Sequence, residues 1–230
     1  MCFSATASFT AAAVVGSIGI ATLWKAAGRR DYAVLPIAAF PALFAAQQGL
    51  EGLLWLDLAR SEPSACRTVL VHGFLGYAQV FWPVFAPLAV WLIEPSPWRR
   101  RLMLLCLAVG VVLATYLLAT MIAHPYTASV VKEHIRYSSV VQEHIRYSNG
   151  VRYPTGIEVP YVLAAAVSLL LSSHWSIRLL ALVILAGFAV AKISFRLSYI
   201  SVWCFFGAAA SVLIYLFVSR VRESGQERTS

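Results

Sequence analysis

Charge is scarce in this chain. Only 12% of its 230 residues are Asp, Glu, Lys or Arg, whereas 60% are apolar. Soluble domains carry about 25% charged residues, so this chain has too few polar side chains to cover a water-exposed globule of its size. Cysteine is sparse as well, and four in the whole chain exclude a disulfide-rich secreted module. No CxxC, HExxH or HxxxH spacing marks a metal centre. The formal net charge of +8 comes without a basic run set in a soluble module, which excludes nucleic acid as a partner. What is present is apolar sequence, with a mean hydropathy of +0.75. The partner it implies is the lipid bilayer, whose core accepts only backbone satisfied within each segment.

A helix needs about 20 predominantly apolar residues to cross a bilayer. Residues 1–24 are uncharged and are followed, not preceded, by basic residues, so this stretch lacks a signal peptide's basic leader and reads as a retained span. Further spans are expected over 32–56, Thr68–Ile93 and Leu102–Ala123, the last ended by His124-Pro125. Residues 159–173 and 179–191 are uncharged runs short for a span, and 197–219 is full length. Counting both short runs gives seven spans; treating 179–191 as re-entrant gives six. With seven spans and the N-terminus outside, ten Lys and Arg fall inside, against four outside once the long 124–158 loop is set aside. The expectation is an all-α polytopic membrane helix bundle, N-terminus outside and C-terminus inside. Residues 1–219 form its single transmembrane domain, 220–230 a cytoplasmic tail, and the location is a bacterial inner membrane.

The 124–158 loop contains a tandem duplication. Residues 129–138 and 139–148 differ only at Lys132 against Gln142. A ten-residue period keeps strand alternation in phase but not a helical face. The two copies are therefore expected to pair as extended ribbons, or to be a duplication tolerated in a surface loop.

Ionisable groups are costly in lipid and tend to face a bundle interior or a wet cavity. Gln47, Glu51 and Trp55 lie four apart on one face of the second span, with Gln48 beside them. His72, His124, Tyr161 and Cys204 fall in the same outer half, and Cys2 opens the first span there. Two site chemistries follow. Cys2, Glu51, His72 and His124 offer donors suited to zinc or copper. Alternatively, removal of Met1 would leave Cys2 N-terminal, its amine beside its thiol, able to act as a nucleophile. The last span carries a stripe of small side chains (Ser194, Ser198, Ser201, Cys204, Ala208 and Ser211) that reads as a packing seam.

The opening Met1-Cys2-Phe3-Ser4-Ala5-Thr6-Ala7-Ser8-Phe9 resembles that of an uncharacterised family of small bacterial multi-pass membrane proteins. So do the stretch from Gln47 to Trp55, Phe81-Trp82-Pro83, His124-Pro125, the His-Ile-Arg-Tyr element and the stretch from Ser201 to Phe206. The resemblance implies seven helices and highlights Cys2, Gln47, Gln48, Glu51, Trp55, His124 and Cys204. His72 is outside its motifs, the doubled His-Ile-Arg-Tyr departs from it, and it implies no activity.

The expected function is an outward-facing polar pocket for a small ligand or metal, in an enzyme embedded in the membrane. Glu51, Cys2 and His124 would be its catalytic groups, with Gln47, Gln48, Trp55, Tyr161 and Cys204 around the ligand. The alternatives are a small-molecule or proton-coupled transporter or channel, and a sensory or partner-binding subunit. No inverted repeat favours transport.

Overall fold

The computed structural model describes residues 4–28, 32–124, 126–131, 134–139, 156–194 and 199–226. Helix α1 covers Ala5–Ala27, opened by Ser4, whose hydroxyl accepts from the Ala7 N–H at 3.2 Å. Then come α2 (Tyr32–Leu58), α3 (Arg67–Ile93) and α4 (Pro97–Ala123). A hairpin of β1 (Tyr126–Val131) and β2 (His134–Ser139) follows. The chain continues with α5 (Glu158–Leu170) and α6 (Trp175–Ser194). Helix α7 runs over Tyr199–Ala210 and Val212–Gln226, interrupted at Ser211.

Six of these helices are long and apolar enough to cross a membrane, and α5 is the short one. The short run at 159–173 is thus a short helix as expected, whereas the expected shortness of 179–191 is corrected. The run 179–191 grows into a 20-residue helix because its bounding cations fit inside it. Arg178 stacks on Trp175, with its guanidinium 5.4 Å from the ring centroid, and Lys192 pairs with Glu158. Helix α4 likewise starts before its expected boundary, taking Arg99, Arg100 and Arg101 into its first turns. Arg99 lies over Trp98 at 5.1 Å and Arg100 over Trp91 at 4.4 Å.

Helices α1 and α2 are antiparallel and meet through small residues. A Cβ on Gly19 would lie 2.5 Å from the Ala42 nitrogen, one on Gly16 3.3 Å from the Ala45 Cβ, and one on Gly52 2.8 Å from the Phe9 ring. These three levels share one register and place Gln48 on the same seam, between the Gly16 and Phe9 layers. Helices α3 and α4 meet more closely still, a Cβ on Gly110 falling 1.9 Å from the Pro83 oxygen. Four residues after Pro83 stands Pro87, which has no N–H to offer that carbonyl.

The hairpin pairs Tyr126 with Ser139 through Val131 with His134. Residues 129–131 thus pair with 134–138 of the same, first copy of the duplication; the second copy, 139–148, lies outside the described residues apart from Ser139. Tyr126, Ala128, Ile135 and Tyr137 turn one apolar face onto α2 and α3, and Tyr137 stacks on Phe74 with centroids 5.1 Å apart. We call this the hairpin end. At the opposite end Glu94 accepts from the Ser173 N–H at 2.7 Å, the Ser173 hydroxyl at 2.5 Å and the Ser96 N–H at 3.1 Å. These bonds tie the α3–α4 turn to the α5–α6 turn.

The small-residue stripe is redistributed. Ser194 ends α6 rather than entering α7, and Ser198 lies outside the described residues; Cys204, Ala208 and Ser211 are buried on α7.

Candidate functional site between α2, α3, α5 and α7

Gln47, Gln48 and Glu51 are all completely buried, on three neighbouring positions of α2. Their apolar neighbours leave few partners, so each bond they make is informative. Gln47 makes two across the bundle. Its Oε1 accepts from the Trp82 indole N–H at 2.8 Å, and its Nε2 donates to the Cys204 sulfur at 3.1 Å. One amide thus links α2, α3 and α7. Glu51, one turn along, lies within electrostatic reach of the same thiol. Gln48 faces the α1 seam, and neither of its amide atoms has a hydrogen-bond partner. Trp55 is half-buried, its indole N–H enclosed and also without one.

Helix α5 sets the shape of the site. Thirteen residues rise about 20 Å, well short of a hydrocarbon core about 30 Å thick. Above its start, at the hairpin end, a small cleft opens between α3, α4, α5, α6 and α7, with Gln79, Glu158, Tyr161, Trp203 and Cys204 in its walls. A second small cleft lies further towards the Glu94 end, lined by Phe44, Trp82, Ala165, Leu169 and Ile184. Tyr161, Trp203 and Cys204 belong to both.

The rings at this waist are pinned. The Tyr161 hydroxyl donates to the Ala78 carbonyl, and the Trp203 indole N–H donates to the Ile184 carbonyl at 3.0 Å. Ala78 sits in a π-helical stretch, Gly76–Phe81, and Tyr161 lies two residues before another, Leu163–Val167. Such stretches perturb the regular backbone ladder and recur at functional sites.

The sequence-expected residues divide accordingly. Gln47, Cys204 and Tyr161 come together at the waist, with Glu51 close behind. Gln48 and Trp55 lie on α2 without lining either cleft. His124 is exposed at the end of α4, and His72 is occupied locally, its Nδ1 2.8 Å from the Thr68 carbonyl. Cys2 lies outside the described residues. Among the described residues no group of three or more His, Cys, Asp and Glu side chains could hold a metal, so the zinc or copper set of Glu51, His72 and His124 is not assembled. The clefts are walled mainly by apolar and aromatic side chains, and the polar cluster stands behind them rather than lining an open cup.

Sequence reasoning missed Trp82 and Trp203 as site residues, as well as the Glu158–Lys192 pair. A signal for the pair was available, since opposite charges cap the same end of two consecutive apolar helices.

Six helices able to cross a membrane, packed with a shorter seventh around buried polar side chains, are the architecture of a multi-pass membrane protein. The chain belongs to DUF6629, a family of unknown function, whose family model matches residues 1–229. No curated protein and no solved structure matches it.

Proposed function

We propose that the protein is a small-molecule-binding protein of the bacterial inner membrane, with its hairpin end and N-terminus outside. The ligand lies in the cleft beside α5. Gln47 fixes the Cys204 thiol at the floor, Tyr161 and Trp203 form the walls, and Glu51 supplies buried carboxyl chemistry behind the thiol. The observation that carries this reading is the Trp82–Gln47–Cys204 relay. It orients one thiol at the point common to both clefts, where plain packing would be served by an apolar side chain at position 47. Charge supports the orientation. Among the described residues, Lys25, Arg99, Arg100, Arg101, Arg178 and Arg220 lie towards the Glu94 end and Arg60, Arg67, Arg136 and Lys192 towards the hairpin end, where Arg67 and Lys192 are paired with Asp57 and Glu158.

The test is quenching of tryptophan fluorescence by tribromoethanol in detergent-purified protein, with Trp203→Phe isolating the Trp203 contribution. A saturable Trp203 component that disappears in Ala165→Phe, which fills the deeper cleft, supports the site. Quenching that only rises linearly, unchanged by Ala165→Phe, removes it.

A further inference from the structure

Pro83 disturbs α3 beside the hairpin-end cleft. In an α-helix the Ala78 carbonyl would accept from the N–H four residues on, and in a π-helix from the N–H five residues on. Neither donor serves it here. The Trp82 N–H is taken by the Tyr77 carbonyl, which closes the π-helical stretch Gly76–Phe81. Residue 83 is a proline and has no N–H to give. The sequence therefore orphans one carbonyl, and inside an apolar bundle such a group needs a donor from elsewhere. Tyr161 on α5 supplies it, its hydroxyl donating to the Ala78 oxygen.

Ala78 and Tyr161 both stand in the wall of the cleft, so this carbonyl belongs to it. A carbonyl oxygen has two lone pairs, and Tyr161 engages one. Other polar groups of the wall accept as well: the Glu158 carboxylate receives Lys192, and the Cys204 sulfur receives the Gln47 amide. Gln79 offers both a donor and an acceptor. The rest of the wall is aromatic and aliphatic. Trp203 meets Phe188 edge-on with centroids 4.9 Å apart and Tyr161 edge-on at 5.2 Å, the company that a further ring prefers. A small, acceptor-rich, aromatic space suits a compact ring bearing a hydroxyl donor. The group already on the carbonyl, a phenol, has that chemistry. From the carbonyl freed by Pro83 and the rings lining the same cleft, we infer that the ligand is a small hydroxyl-bearing aromatic molecule whose O–H binds the Ala78 carbonyl beside the Tyr161 phenol. This deepens the proposed function and rests on it.

The experiment is a fluorine NMR titration of detergent-purified protein with para-fluorophenol and with para-fluoroanisole, whose methylated oxygen cannot donate. Para-fluorophenol binds saturably and para-fluoroanisole about fivefold more weakly, the worth of one neutral hydrogen bond. Two variants move this preference in opposite directions. Tyr161→Phe leaves the ligand's O–H to satisfy the carbonyl unshared, tightening para-fluorophenol by about twofold or more with para-fluoroanisole little changed. Pro83→Ala restores a backbone donor. The carbonyl is then satisfied whether α3 keeps its π-helical register or relaxes to an α-helical one, and the preference disappears. If Pro83→Ala fails to fold, the Tyr161→Phe arm decides alone. Unchanged or weaker phenol binding in Tyr161→Phe overturns the inference, a weaker one because it would make Tyr161 the donor and the ligand the acceptor. Equal binding of the two probes to wild type, or binding of neither, overturns it too. If both probes bind equally, or if neither binds while tribromoethanol still quenches Trp203 saturably, the site survives and only this ligand class is wrong. If all three fail, the proposed function falls as well.

Discussion

Glu94 shows how a single carboxylate can hold two turns together. It is almost fully buried, and burial alone would raise its pKa. Hydrogen bonds from Ser173 and Ser96, together with the charge of Arg99, outweigh this and hold the carboxyl below its ordinary value of 4.5. A pKa depressed by folding contributes stability that is present above the unfolded value and lost as the pH falls through the folded one. The melting temperature of wild type in detergent should therefore drop on acidification below about pH 4.5, more steeply than that of Glu94→Gln. At neutral pH, Glu94→Ala should cost about 1.5–3 kcal/mol, the scale of a hydrogen bond to a charged group. Parallel acid profiles for wild type and Glu94→Gln would contradict this role.

Glycines give a second test at the same scale. At Gly110 an added Cβ meets the backbone oxygen of Pro83, which cannot rotate aside. Gly110→Ala should therefore destabilise by about 1–3 kcal/mol or more, as overpacking does. At Gly49 a Cβ meets nothing within 4 Å, so Gly49→Ala should leave the melting temperature unchanged or raise it. Equal melting temperatures for the two variants would show that α3 and α4 are not in this contact.

Among the elements, the hairpin and α5 differ in how well they could be read. Alternation made the strands visible, because Tyr126, Ala128, Ile135 and Tyr137 share a face. Which segments pair was not visible, since identical repeats offer two equivalent partners and only docking on Phe74 distinguishes them. Deleting residues 129–138 would place Ser139 directly after Ala128. This restores the hairpin sequence with Gln142 in place of Lys132 and Asn149 in place of Ser139, bringing Tyr147 to the Phe74 stack. That deletion should express and melt like wild type, whereas Tyr137→Ala in the full chain should expose the hairpin to limited proteolysis. A deletion variant that fails to fold would mean that the two copies are not equivalent.

The shortness of α5 was legible, but the length of α6 was misjudged from charge alone. Arg178 and Lys192 bounded the apolar run, but stacking on Trp175 and pairing with Glu158 let the helix continue through both. The polar face of α2 was legible from the spacing of Gln47, Glu51 and Trp55. Its partners Trp82 and Cys204 were not, because they come from other helices and spacing within one helix carries no information about packing between helices. The shortness of α5 matters most for the site, since it leaves the space that the clefts occupy.

At the scale of the whole molecule, the two ends differ in charge. Cations towards the Glu94 end gather with exposed Trp24, Trp98 and Trp175, the composition of an interfacial belt beside an anionic leaflet. A C-terminal reporter fusion should therefore be active in the cytoplasm, and activity only in the periplasm would invert the orientation. Exposed apolar residues along α4, among them Leu105, Val112 and Ile122, form the lipid-facing wall, while the polar relay stays inside the bundle. The decisive measurement is an experimental structure in lipid nanodiscs, resolved well enough to show side chains. It should show Gln47 bridging Trp82 and Cys204, with non-protein density in the cleft along α5. A bundle with no cleft along α5 and with Cys204 turned towards lipid would contradict the binding site.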